Sequence, residues 1–250
     1  KNPKNQVTIA MCGKYTELID SYKSVMESFV HAGVENNARV NIKWVKTEKI
    51  KSNVSAEKEF DGVDGILLLP GFGSRGVEGK VRSSKYARDT NTPFLGICLG
   101  LQCAVIDYAR NVCGLTDANS TEFNKKTKHA VIDLMESQKA IKIKGGTMRL
   151  GAYDCDILPG TKIFKAYRKD KISERHRHRF EVNNKYKKIL EKNGLTFSGV
   201  NSDLGVVEAI EISDHPWYVA SQFHPELKSR VNKAHPLFRD FIKATIKNKS

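Results

Sequence analysis

The sequence predicts an α/β fold: a single three-layer domain with a central mixed, largely parallel sheet, helices on both faces and an antiparallel extension. Three observations carry this. The runs GILLLP (65–70) and PFLGIC (93–98) are apolar at consecutive positions and bounded by glycine, the pattern of strands covered on both faces. Helix-length segments alternate with the strands of the first half, which implies parallel pairing. Beyond residue 113 the chain turns to shorter, more polar segments joined by tight turns, which read as antiparallel strands added to the same sheet.

Taken in order, QVTIAMC (6–12) is a buried strand, and a helix follows that Asp20 would cap and Gly33 would end. Tyr22, Val25, Met26, Phe29 and Val30 share one face of that helix. ARVNIKWV (38–45) alternates as a half-buried strand, and 47–60 is a polar connection with a short helix. A glycine-rich loop (71–79) follows the first apolar run, residues 80–90 are helical, and LQCAVIDYARNV (101–112) is a helix with Ala104, Val105 and Tyr108 facing the core. HAVIDL, IKIKGGTMRLGAYDCDI, LTFSGV, GVVEAIEI and WYVASQF are the later strands, and HPLFRDFIKATIK (235–247) closes the chain as an amphipathic helix.

At 250 residues, 40% hydrophobic and 28% charged, the chain has the composition of a globular domain. No apolar run approaches the ~18 residues of a spanning helix and the first residues do not read as a signal peptide, so a cytoplasmic location is expected. The five cysteines form no CxxC pair and are expected to be free thiols; sequons at Asn53 and Asn119 are chance matches. The net charge of +14 is spread over KKTK, KAIKIK, KAYRKDK, RHRHR and KYKK without a recognisable nucleic-acid module, so neither nucleic acid nor a membrane is expected as partner.

Chemistry concentrates at GICLG (96–100). A cysteine between a strand and a helix N-terminus is exposed by the bend and favoured as thiolate by free N–H groups and the helix dipole. Gly96 and Gly100 suit such a bend, one by unusual dihedrals and the other by close helix–sheet approach. GICLG alone leaves Cys98 open between a nucleophile and a small buried residue. Of seven histidines, His224 stands apart. It ends the apolar strand WYVASQF, and in FHPE the carboxylate of Glu226 follows two residues on, able to hold the imidazole of a base. His31, His129, His215 and His235 read as ordinary surface groups. In the extended stretch RHRHR the arginines share one side and His176 and His178 the other, so at most one side can face a pocket.

GICLG with FHPE downstream resembles the class I glutamine amidotransferases, whose Cys-His-Glu triad releases ammonia from glutamine. GKYTELIDSYKSV, PGFGSRGVEGK, DANSTEF, GGTMRLG and ERHRHRFEVN resemble, in the same order, the glutaminase domains of the CTP synthase branch. The resemblance implies that Cys98 attacks the glutamine amide, His224 is base and then acid, and Glu226 orients His224. It implies an oxyanion hole from the N–H of Leu99 and an N–H of the PGFG loop, assigned to Gly71. Gly100, Leu101, Gln102 and Glu122 would bound the glutamine pocket, Glu122 near the α-amino group, and Arg179 would meet the α-carboxylate. Two departures stand out: PGFG replaces the PGGFG of many relatives, and Phe180 stands where tyrosine is common.

The resemblance also implies that residues 1–250 are one glutaminase domain of a longer enzyme, itself without cofactor or metal. ATP, magnesium and UTP would belong to an N-terminal synthase (amidoligase) domain outside these residues, where no P-loop GxxxxGK[ST] occurs. GTP would activate near the domain interface, with the loop 72–80 and the stretch near Arg179 as the face involved. A tetramer is expected for the whole enzyme. A catalytically silent glutaminase-like regulatory or docking module is the alternative.

Overall fold

The computed structural model describes residues 2–14, 19–135 and 148–249. Their centre is a nine-stranded sheet in the order β2-β1-β3-β4-β12-β11-β10-β7-β8. Strands β1 (Asn5–Gly13), β2 (Ala38–Lys46), β3 (Gly65–Leu68), β4 (Phe94–Ile97) and β12 (Tyr218–Ser221) pair in parallel. Strands β11 (Val206–Ile212), β10 (Leu195–Asn201), β7 (Arg149–Ile157) and β8 (Lys171–His178) extend the sheet antiparallel from β12.

Burial of alternate residues on opposite faces explains why β1 is apolar from Ile9 to Cys12. Val7, Ile9 and Met11 pack on one face of the sheet, with Val25 and Phe29 of α1 (Lys23–Glu35) and Leu237, Phe238 and Phe241 of the last helix, Pro236–Lys249. Ala10 and Cys12 pack on the other, with α2 (Asn53–Phe60), α3 (Val77–Asp89) and α4 (Leu99–Asn111). Two cores flank one sheet, each contributing burial worth about 25 cal/mol per Å² of apolar surface.

Several local expectations are corrected. Helix α1 starts at Lys23 after a 3₁₀ turn, Ile19–Tyr22, so Asp20 is not at its N-cap, and it runs through Gly33 to Glu35. Gly33 instead allows close approach: a Cβ there would lie 2.7 Å from the carbonyl oxygen of Ala38. The buried stripe is Val25, Phe29 and Ala32, whereas Val30 is exposed. HAVIDL does not join the main sheet. It supplies β6 (Ala130–Asp133) of a separate three-stranded sheet with β5 (Asn119–Ser120) and β9 (Glu181–Val182). The IKIKGG part of the strand read before β7 lies outside the described residues. Among the described residues no helix is long and apolar enough to cross a membrane.

Candidate active site

The parallel pairing of β4 with β12 builds the site. Ile97 is opposite Ser221, so the residues that leave both strands at their carboxyl ends emerge side by side. The N–H of Cys98 donates to the Ser221 carbonyl oxygen at 2.7 Å, and the N–H of His224 donates to the Arg175 carbonyl at 2.8 Å. Cys98 stands at the N-terminus of α4 with φ 54° and ψ −102°, a left-handed strained conformation in a non-glycine residue. The unusual dihedrals therefore belong to the cysteine itself, and both flanking glycines serve close approach. A Cβ on Gly96 would lie 2.9 Å from the carbonyl carbon of Gly100, and one on Gly100 would lie 2.6 Å from the Leu68 carbonyl oxygen.

The Nδ1–H of His224 donates to Oε1 of Glu226 at 2.7 Å, and both side chains are nearly buried. Nε2 of His224 is buried without an aligned partner. Burial disfavours the charged ring, but the Cys98 sulfur and the Glu226 carboxylate outweigh it and raise the histidine to about 10. At Cys103 burial dominates over the Lys80 charge and pushes that thiol up to about 12.

A cavity of about 190 Å³ opens beside Cys98. The expected residues Gly71, Gln102, Glu122 and Arg179 line it; so do Phe72, Met148, His178 and Phe180. An adjoining depression of about 380 Å³ shares Gly71, Phe72 and Cys98 and adds Arg177, His224 and Glu226. Gln102 donates from Nε2 to the Phe180 carbonyl at 3.1 Å, so Phe180 contributes here through its backbone. One carboxylate oxygen of Glu122 accepts from the N–H of Gly73 at 2.9 Å. The Arg179 guanidinium lies over the Phe180 ring, and its Nε is buried without a partner. A Cβ on Gly71 would lie 3.6 Å from the Leu99 side chain, so the loop that carries Gly71 lies against the start of α4. Leu99 and Leu101 bury their side chains in the core and Gly100 packs on Leu68, so none of these three presents a side chain to the cavity.

The structure places charge and burial at positions the sequence did not single out. Both sides of the RHRHR stretch contribute, because β8 ends at His178 and Arg179 leaves the strand alternation. His176 and His178 are buried, their Nδ1 and Nε2 atoms 2.9 Å apart. Nδ1 of His178 is 3.2 Å from the Phe180 carbonyl, which only accepts, so His178 carries its hydrogen there and accepts at Nε2 from His176. Burial, with the Arg149 charge, lowers His176 to about 3 and His178 well below its ordinary value. Arg149 bridges Glu181 at 3.1 Å and Glu208 at 2.7 Å. The alternation of exposed and buried residues along β8 was legible in the sequence, but not this partner set. His215 and His235 are buried rather than superficial: Nε2 of His215 is 3.0 Å from the Ala87 carbonyl, and His235 meets Tyr167 and Glu174.

A cysteine at a strand-to-helix bend, paired with a histidine–carboxylate couple at the next strand end, defines an α/β protein built for thiol-dependent acyl transfer. Residues 17–244 match the Glutamine amidotransferase class-I family, and the chain belongs to it. Within that family it is similar to the CTP synthases of Pelodictyon phaeoclathratiforme, 58% identical over 240 residues, and Chlorobium phaeobacteroides, 57% identical over 242. Each match covers 96% of this chain but 42% and 43% of the relative, so the chain spans about two fifths of their length. A solved glutaminase domain of CTP synthase from Trypanosoma brucei, with bound acivicin, superposes with a TM-score of 0.90 at 39% identity, covering 96% of this chain and 94% of that one. The chain is thus a glutaminase domain of the CTP synthase kind.

Proposed function

We propose that residues 1–250 form one glutaminase domain that hydrolyses L-glutamine to glutamate and ammonia through a γ-glutamyl thioester on Cys98. The observation that carries this is the juxtaposition, at the ends of β4 and β12, of a strained cysteine with a histidine already hydrogen-bonded to Glu226. The thiolate attacks the side-chain amide carbon, and His224 donates its Nε2 proton to the departing ammonia. The ring then takes a proton from water as that water cleaves the thioester, and Glu226 keeps Nδ1 protonated throughout. The N–H groups of Leu99 and Gly71 hold the tetrahedral oxyanion; loss of one such donor costs ~10² to 10³ in rate. Arg179, with its unpartnered buried Nε, takes the α-carboxylate, Glu122 the α-ammonium, and Gln102 shapes the wall.

The ammonia is used by a synthase domain that performs ATP-dependent amination of UTP to CTP, with magnesium on that domain, in a cytoplasmic tetramer. GTP activates at the face formed by the loop 72–80 and the stretch near Arg179. Ammonia release by this chain, with and without GTP, together with stoichiometric labelling of Cys98 by acivicin that spares Cys103, tests the reading. Activity surviving Cys98→Ala would overturn the nucleophile. A chain that neither binds glutamine nor takes the label would be the silent module instead.

A further inference from the structure

Lys80 is an unusual resident of the interior. Its side chain is 2% exposed and comes from the first turn of α3. Gly79 lets that turn sink inward: a Cβ there would lie 1.8 Å from the Thr47 carbonyl oxygen. The Lys80 ammonium donates to the carbonyl of Leu69, the residue immediately before the Pro70–Gly73 loop. Among the described residues no carboxylate pairs with it. Burial lowers its pKa, and the groups that act on its charge are the thiols of Cys103, Cys12 and Cys98 and the ammonium of Lys14.

Burying an ammonium without a counter-ion costs several kcal/mol, and an apolar side chain of the same length would avoid that cost. The location gives the charge a use. The chain leaves β1 for β2 on one side and β3 for β4 on the other, so the carboxyl ends of β1 and β3 flank the switch point where open α/β sheets receive anions. Here the protein places its own cation beneath that crevice, behind the loop that carries Gly71.

We propose that Lys80 is a positioning residue of the glutaminase site. It holds the Pro70–Gly73 loop through the Leu69 carbonyl and supplies a fixed positive charge that favours the anionic sulfur of Cys98 and the oxyanion formed on the substrate. The proposal rests on Cys98 as nucleophile. The other charged or titratable groups around Cys98 are Tyr22, Arg177, His224 and Glu226 on one side and Glu122, His178 and Arg179 on the other.

Lys80→Met keeps an unbranched stem one atom shorter and removes the charge. Alkylation of Cys98 by iodoacetamide, read from the mass of the peptide carrying residue 98 between about pH 5 and 10, should move its midpoint up by about one unit in the variant. kcat for glutamine hydrolysis should fall about 10- to 10²-fold with KM little changed. A merely structural lysine would alter the melting temperature and leave the alkylation midpoint in place, and an unchanged midpoint in folded Lys80→Met overturns the proposal. Should that variant not fold, an NMR titration of the Lys80 ammonium in the unmodified chain decides. Because coupling is reciprocal, capping the sulfur must lower the lysine's pKa, and an unchanged value overturns the assignment. Failure of the unmodified chain to label at Cys98 would instead overturn the reading of the nucleophile.

Discussion

Two histidine regions lie on either side of the Cys98 cavity, both buried and with opposite electrical fates. His224 faces a sulfur and a carboxylate and is raised to about 10, whereas His176 faces the Arg149 guanidinium and is lowered to about 3. Burial opposes charge in both: at His176 it is the main cause of the lowering, and at His224 the sulfur and the carboxylate overturn it. The neighbours reverse burial at His224 and reinforce it at His176, so one region is equipped to move protons while the other is a neutral spacer between Arg149 and the cavity wall.

The comparison breaks first at the chemistry. Cys98→Ala should abolish glutamine hydrolysis, by on the order of 10⁴-fold or more in kcat, and His224→Asn should approach that. His176→Asn, which keeps a neutral polar side chain, should cost less than about 10-fold in the same ammonia assay. A comparable loss from His176→Asn would erase the functional difference between the regions.

The next largest effect is on stability. Arg149→Met leaves Glu181 and Glu208 buried without their cation and should destabilise the fold by about 3 kcal/mol in urea denaturation. Gly100→Ala drives a methyl group against the Leu68 carbonyl and should cost about 1–3 kcal/mol and reduce alkylation of Cys98, since the bend must open.

The smallest effects are in the pH dependence, and they differ in direction. A histidine raised to about 10 stabilises the fold fully below its ordinary value of 6.5 and loses that contribution as pH climbs toward 10. A histidine lowered to about 3 contributes above 6.5 and loses it as pH falls toward 3. Melting temperatures should therefore decline on both sides of neutrality, and Cys98→Ala should flatten the alkaline decline alone. Burial raises Glu181 from 4.5 to about 8, so its carboxyl also stabilises at low pH and loses that contribution through this interval. Glu181→Gln should reduce the decline between those pH values; an unchanged slope would mean that Arg149 fully compensates the carboxylate.

Much of the parallel half was legible because its signals are local. Consecutive apolar residues in GILLL and FLGI reveal strands buried on both faces, and the alternation of ERHRH reappears as the burial pattern of β8. The misread features depend on partners distant in sequence. Gly33 looked like a helix stop because glycine often ends helices, yet here it answers the crowding of Ala38. His215 and His235 looked superficial among polar neighbours, yet tertiary contacts bury both. HAVIDL has an ordinary strand pattern and gives no sign that it pairs with Glu181–Val182 rather than the main sheet.

The sequence by itself determined the layered α/β class, the bend that carries Cys98, and the strand-end histidine with its carboxylate two residues away, because periodicity, glycine placement and short-range geometry are written along the chain. Only the tertiary structure decided that Cys98 and His224 are neighbours, since that follows from which parallel strands pair and in what register. It also decided which histidines hold charge and where a buried lysine points. Those outcomes depend on the sign and distance of charges brought together by folding, and residues far apart in the chain carry no local mark of them.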